Sequence, residues 1–171
     1  MTETETTVTY LEMLAEPVLH VAAPAIPKLL LMRAEQPSVD FYRYLYTSVG
    51  RGYHWTDRDK ITDEALAAII EDEAVEVWVV YVAGQPAGYF EIDGRGGEEV
   101  ELEYFGLMPR FHGRGIGKWL LAEAIRACWV RRPDRVVVET CTLDSPAALA
   151  LYQKMGFQPF ARATRLVETG E

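Results

Sequence analysis

The residues best placed for chemistry lie together in one stretch, Leu107-Met108-Pro109-Arg110-Phe111-His112-Gly113-Arg114-Gly115-Ile116-Gly117-Lys118. A glycine-rich turn running into a helix leaves the first backbone N–H groups without partners, and the helix dipole adds partial positive charge there. Phosphate or pyrophosphate is the natural ligand of such a turn. The same glycines could serve only to supply the positive φ of a tight strand-to-helix turn. Three of them before a helix, flanked by Arg110, Arg114 and Lys118, favour anion binding. Spacing argues against two common phosphate loops. A Walker loop needs Gly-x4-Gly-Lys-Ser/Thr, but His112 stands where its first glycine belongs and Trp119 where the hydroxyl belongs. A dinucleotide loop needs G-x-G-x-x-G, but the third position after Gly113 and Gly115 is Lys118.

The elements that must hold this turn follow from hydrophobic periodicity. Residues 75–82, 86–93 and 98–107 read as strands joined by short turn-rich links at 83–85 and 94–97, which suits antiparallel hairpins. A helix is predicted from about 115 to 130, where Ile116, Leu120, Ala124 and Cys128 recur every fourth residue. Residues 136–141 read as a buried strand, 145–155 as a helix capped by Ser145, and 157–167 as a last strand. Upstream, 7–14 is rich enough in β formers for a first strand, while 22–37 is interrupted by proline and is read with a short helix. A helix over 38–50 begins behind Ser38 and carries Phe41, Leu45 and Val49 at helical spacing; another covers 62–72. Antiparallel strands followed by helical crossovers predict an α+β, three-layer α/β/α fold. Its central sheet is mixed and mostly antiparallel, with helices on both faces.

Composition limits the function classes. A chain of 171 residues, 49% hydrophobic and 25% charged, suits one domain spanning 1–171. A formal net charge of -9 argues against sequence-independent nucleic-acid binding, which needs a surplus of cations. Cys128 and Cys141 are too few for a disulfide framework, and with His20, His54 and His112 they form no metal-ligand pattern, so no metal is expected. A reducing cytoplasm fits best. The start MTETETTVTY lacks the features of a signal peptide, and no apolar run approaches the roughly 20 residues of a membrane span. Neither a membrane nor a nucleic acid is an expected partner, and a homodimer is compatible with such a domain.

The glycine turn, read as Arg110-Phe111-His112-Gly113-Arg114-Gly115, resembles the Gln/Arg-x-x-Gly-x-Gly/Ala acetyl-CoA signature of the GNAT superfamily of N-acetyltransferases and matches it in full. A second segment, from Ser145-Pro146-Ala147-Ala148-Leu149 through Tyr152 to Gly156-Phe157, is similar to the family's Asn-x-x-Ala-x-x-Leu-Tyr-x-x-x-Gly-Phe, with Ser145 replacing Asn. The resemblance implies that Ser145 stands where the family sets a polar contact to the pantetheine arm. The resemblance covers 75–171, as an acetyl-CoA-binding core, and leaves 1–74 as the variable part that carries acceptor specificity. It implies that amides of the turn bind the pyrophosphate of coenzyme A, with Arg110 and Arg114 as side-chain contributors and His112, Ile116, Gly117 and Lys118 in the same site. Leu107 and Met108 lie at the end of a strand that, in the family, splays from its neighbour and offers backbone groups to the pantetheine; Gly106 permits close approach. Seven of the seventeen basic residues fall between Arg110 and Arg135. Arg126, Arg131, Arg132 and Arg135 serve equally well as a solvated face.

Aminolysis of a thioester needs an uncharged amine, an acceptor for its proton and a proton for the departing thiolate. Tyr152 stands at the family's tyrosine position, and a phenol of reference pKa about 10 is protonated at neutral pH and can donate. Its other reading is a core aromatic packed with Ala148 and Met155. Glu101 and Glu103 alternate with Val100, Leu102 and Tyr104, so both are predicted to share one face of a strand, with Phe105 next along it. The resemblance implies that a glutamate on this strand accepts the amine proton. Glu139 on the next strand is a rival, and structural ion pairing of Glu101 and Glu103 is the alternative. A covalent route through Cys141 is disfavoured because no histidine is placed by pattern to activate it.

The acceptor is the least specified part. Phe41, Tyr42, Tyr44, Tyr46, Tyr53, His54 and Trp55 form an aromatic stretch that, in an acidic chain, would favour a cationic small-molecule or peptide amine; helix packing explains the same residues. The sequence thus predicts an acetyl-CoA-dependent N-acetyltransferase working by direct attack in a ternary complex. An inactive acyl-CoA-binding or sensor module, or an acyltransferase with another acyl donor or a hydroxyl acceptor, remains as an alternative.

Overall fold

A single seven-stranded sheet in the order β2-β3-β4-β5-β6-β1-β7 organises the chain, and the structure, a computed structural model, describes residues 2–169 of it. The strands are β1 (Thr2–Met13), β2 (Leu29–Ala34), β3 (Val75–Val82), β4 (Gln85–Asp93), β5 (Glu99–Leu107), β6 (Arg135–Cys141) and β7 (Gln158–Thr169). Among the described residues only β5 and β6 run parallel, and every other neighbouring pair is antiparallel. The helices are α1 (Val39–Gly50), α2 (Asp63–Ile70), α3 (Ile116–Val130) and α4 (Ala148–Lys154). Tyr42 of α1 meets Tyr89 on one face of the sheet, while Gly117 of α3 lies against Leu107 on the other. The predicted mixed, three-layer arrangement is the one observed.

Local signals account for most boundaries. Ser38 accepts a hydrogen bond from the Phe41 N–H at 3.2 Å and Thr62 one from Ala65 N–H at 3.2 Å, so both helices start at side-chain caps. The β-branched residues of β3 pack into the core from both faces, with Val77, Val79 and Val80 almost fully buried. Leu120, Leu121, Ala124, Ile125 and Cys128 give α3 its buried stripe.

Four local expectations are corrected. No helix forms within 22–37; Leu29–Ala34 is a strand, because its backbone pairs with the edge that β3 would otherwise leave open. The first strand begins at Thr2, five residues early, because Thr2–Glu12 pairs with β7. Helix α4 starts at Ala148 and is not capped by Ser145. The Ser145 carbonyl instead accepts from Ala148 N–H at 2.9 Å in a turn containing Pro146.

The fourth correction bears on the site. Tyr104 pairs with Glu91 and Leu102 with Ile92, so Glu103 is an unopposed bulge residue in β5. The bulge breaks strict alternation. Tyr104, not Phe105, follows the glutamates on the α1 face, where its ring meets Tyr46 at 5.2 Å and Trp55 at 5.0 Å. Phe105 turns to the opposite face and meets Tyr152 at 6.4 Å.

Candidate active site

The turn before α3 is built as an open N-terminus. Gly113 and Gly115 have φ of +74° and +80°, and Gly115, as N-cap, offers no side chain to the first-turn N–H groups. A Cβ at Gly115 would meet only Pro24 Cβ, at an ordinary 3.8 Å, so the glycine answers to backbone conformation rather than crowding. His112 secures the turn through a 2.9 Å hydrogen bond between Nε2 and the Leu107 carbonyl. Arg110 and Arg114 lie over the Phe111 ring, at 5.1 and 5.5 Å, and with Lys118 remain exposed beside the turn. Further along the chain, Arg126 pairs with Glu123, Arg131 with Glu76, and Arg135 with Glu12 and Glu99. Of the basic cluster, Arg110, Arg114 and Lys118 are the members at the turn. The Ile116 side chain is fully buried, which leaves only its amide for a ligand. Met108, next to Leu107, is buried; its N–H donates to Ala87 O at 2.8 Å and its carbonyl accepts from Phe111 N–H at 2.9 Å.

A cleft of about 420 Å³ begins beside this turn and passes through the sheet. Strands β5 and β6 are paired only from Glu99↔Arg135 to Leu102↔Val138, and beyond that register they diverge. The gap so opened is lined on the α3 side by Leu107, His112, Gly117, Ser145 and Tyr152 and on the α1 side by Tyr46, Trp55, Glu103 and Tyr104. Gly106 sits at the margin of this gap: a Cβ there would lie 2.6 Å from Val49 Cγ1, so any side chain would have to push the Val49 side chain aside.

Tyr152 and Glu103 thus reach one cavity from opposite faces of the sheet. Burial, and secondarily the charge of Asp144, pushes the Tyr152 phenol above its ordinary range, so it stays protonated at neutral pH. Glu101 and Glu103 share a hydrogen bond, and burial raises both carboxyls; for Glu101 the charge of Glu103 adds to the rise. The two are not equivalent in place. Glu103 lines the through-sheet cleft, whereas Glu101 lines a neighbouring hollow of about 290 Å³ with Tyr10, Arg135 and Phe160. Glu139 borders both and is engaged by Arg165 at 3.4 Å.

The aromatic stretch divides. Tyr46, Tyr53, His54 and Trp55 line the cleft; Tyr42 is buried in the core, and Tyr44 is half exposed away from the cleft. Two features were missed from the sequence. Asp144 accepts from Thr140 Oγ1 at 2.8 Å, Cys141 N–H at 2.9 Å and Trp55 Nε1 at 3.4 Å, tying the two walls together. Glu91, fully buried, accepts from the Tyr42 hydroxyl and from Arg58 at 2.8 Å beneath the acceptor side. A lone carboxylate inside the apolar run Tyr89-Phe90-Glu91-Ile92 was the signal available for the second.

Comparison with known proteins follows the same lines. The model of the acetyltransferase (GNAT) family matches residues 40–157, a span containing every residue just placed in the turn and on the two faces of the cleft. The N-alpha-acetyltransferase RimI of Mycobacterium tuberculosis is 43% identical over 60 residues, and the match covers 35% of this chain and 35% of that protein, about a third of each. Among solved structures, an aminoglycoside acetyltransferase from an uncultured soil metagenomic sample, in complex with sisomicin, superimposes with a TM-score of 0.60 at 14% identity, covering 75% of this chain and 87% of that one. A GCN5-related N-acetyltransferase from Sphaerobacter thermophilus gives 0.64 at 18% identity, covering 97% of this chain and 53% of the other. At these identities the structural likeness concerns the fold.

Proposed function

Because the chain belongs to the GNAT acetyltransferase family, we propose that it transfers an acetyl group from acetyl-CoA to an amine by direct attack within a ternary complex. The observation that carries this reading is the cleft through the splayed β5 and β6, which brings Tyr152 and Glu103 from opposite faces into one cavity beside the open N-terminus of α3. Acetyl-CoA supplies the acyl group as a thioester, with a thiolate as leaving group. The residues present fit it: the uncapped amides around Gly113, Gly115 and Gly117 suit a pyrophosphate, and Leu107 and Ser145 border the path that a pantetheine arm would follow.

Each chemical requirement then has a residue. Glu103, directly or through a water, takes the proton of the attacking amine, and Glu101 holds the shared proton of the carboxylate pair. Tyr152, protonated and buried beside Phe105, donates to the departing thiolate. The rings of Tyr46, Tyr53 and Trp55 with the carboxylates of Glu103 and Glu139 favour a cationic amine, small molecule or peptide. On this reading residues 1–74 contribute α1 and the ring-bearing segment of the acceptor side, and 75–171 the turn and Tyr152.

A thiol-release assay with acetyl-CoA across a panel of amines tests the proposal. Acceptor-dependent thiol release at a rate well above hydrolysis is expected. Tight CoA binding with no turnover on any amine would make the chain an acyl-CoA sensor. Faster release with a different acyl donor, or with alcohols, would reassign the acyl group or the acceptor.

A further inference from the structure

Residues 51–61 form the outer wall of the acceptor side, with short 3-10 turns at Arg51–Tyr53 and Asp57–Lys60. They bring Tyr53, His54, Trp55 and Asp57 to the cleft, yet none of the eleven is fully buried. Such a segment is weakly held by the hydrophobic core, and its position must come from specific contacts. Trp55 Nε1 donates to Asp144 at 3.4 Å and Lys60 pairs with Glu168 at 3.6 Å, but most of those contacts converge on Arg58. Its guanidinium enters the protein, the side chain being 12% exposed, and donates to Glu91 at 2.8 Å and to the Tyr42 hydroxyl at 3.3 Å. Its backbone N–H donates to the Tyr46 hydroxyl at 3.2 Å, and its carbonyl accepts from Arg43 at 2.9 Å. Arg43 also donates to the Ile61 carbonyl at 2.9 Å.

The same guanidinium lies 5.3 Å from the centroid of the Tyr104 ring. Tyr104 follows the unopposed bulge residue Glu103, and a bulge leaves the local orientation of its strand to side-chain contacts rather than to the ladder. One cation therefore grips two things at once: the segment that carries the acceptor-side rings, and the residue that fixes the bulge bearing the proposed base.

We propose that Arg58, anchored by buried Glu91, is a positioning residue for the acceptor amine: it sets the distance between the 51–61 segment and Glu103 and does not itself touch the reacting atoms. The proposal rests on the acetyl-transfer reading above, for which it names what holds the acceptor site in shape.

Testing it requires separating position from stability, because Glu91 has 0% side-chain exposure. Arg58→Met alone strands a buried carboxylate, and a fall in melting temperature of about 10 °C is expected whatever the role of the pair. The double variant Arg58→Met with Glu91→Gln removes both charges and leaves Tyr42 an oxygen to bond, so most of that loss should return. The amine KM should not return: it should stay raised by ~10-fold or more while the CoA dissociation constant, read by calorimetry, stays within about two-fold of wild type. Amides of 51–61 should exchange hydrogen faster in the double variant, with those of α3 unchanged. Recovery of both melting temperature and amine KM, with wild-type exchange in 51–61, would show the pair to be a replaceable structural ion pair and overturn the proposal. The exchange measurement needs no turnover. A wild-type protein that acetylates nothing would sink the reaction proposed above while the exchange result still decided whether Arg58 holds the segment.

Discussion

The two sides of the cleft are made of different materials. On the α3 side the ligand-facing groups are mostly backbone: amides released by Gly113 and Gly115 and by an N-cap without a side chain. On the α1 side they are rings and carboxylates drawn from α1, the 51–61 segment, β5 and β6. A backbone site is specified by a short run of glycines and a helix start, and it recognises what every substrate pair in such an enzyme shares. A side-chain site can be rebuilt one residue at a time without disturbing the turn. The contrast teaches where tolerance to change should lie: low on the α3 side where conformation is at stake, graded on the α1 side.

The sharpest way to break the comparison is at Gly115. Valine there must adopt φ near +80°, which costs roughly 1–2 kcal/mol and is relieved by shifting the turn. CoA binding should fall below detection by calorimetry, while the melting temperature drops by only about 2–8 °C. CoA affinity unchanged by Gly115→Val would mean that the turn is only a turn.

Next in size is Tyr152→Phe, which keeps the ring against Phe105 and Phe157 but removes the proton donor. CoA affinity should hold while kcat falls by roughly 10²- to 10⁴-fold. Single-turnover rates should show the same loss, because slow product release can hide a change in chemistry. Wild-type single-turnover rates in the variant would reduce Tyr152 to packing.

What the sequence disclosed follows the same division. The turn, α3 and Tyr152 were legible because their determinants are local: glycine spacing, a four-residue apolar repeat, a run ending in Gly156-Phe157. Strand β2 was not, because its state is decided by the open edge of β3 rather than by its own residues. The bulge at Glu103 was hidden for a related reason, since Glu101, Glu103 and Phe105 alternate perfectly in sequence and only the pairing with Glu91 and Ile92 reveals the extra residue. Arg58 and Glu91, 33 positions apart, meet through tertiary folding alone.

The glutamate pair sharpens the comparison on the α1 side. Glu103→Gln should cost ~10²-fold in kcat/KM, whereas Glu101→Gln, which can still donate to Glu103 from the neighbouring hollow, should stay within about ten-fold of wild type. A base with a raised carboxyl must lose its proton first, so kcat/KM should rise with pH along a limb whose midpoint lies above the ordinary glutamate value of about 4.3. Stability carries the opposite sign. Raised native pKa values mean that the folded state holds more protons than the unfolded one above that ordinary value. The pair's contribution is therefore fully present at lower pH and is lost as pH rises through the raised values. Melting temperatures across pH for wild type and Glu101→Gln should show the fall flattened in the variant. Equal activity of the two glutamine variants would leave Glu139 as the base to examine.

The smallest expected effect is at Cys141, and it decides between two mechanisms. The thiol borders the cleft that also holds His54 and His112, so the structure brings together the residue types of a covalent acyl-cysteine route. The geometry does not assemble them into a working pair. His112 spends Nε2 on the Leu107 carbonyl, and no hydrogen bond joins either imidazole to the Cys141 sulfur among the described residues. The backbone N–H of Cys141, the last residue of β6, is held by Asp144 at 2.9 Å, which ties the strand end to the turn that shapes the wall. Direct attack needs both substrates bound at once, so initial-rate lines should intersect, and Cys141→Ala should keep kcat within about two-fold of wild type. Parallel lines together with an acylated Cys141 in the mass spectrum would instead make the thiol the nucleophile, and the roles assigned to Glu103 and Tyr152 would have to be redistributed over two half-reactions.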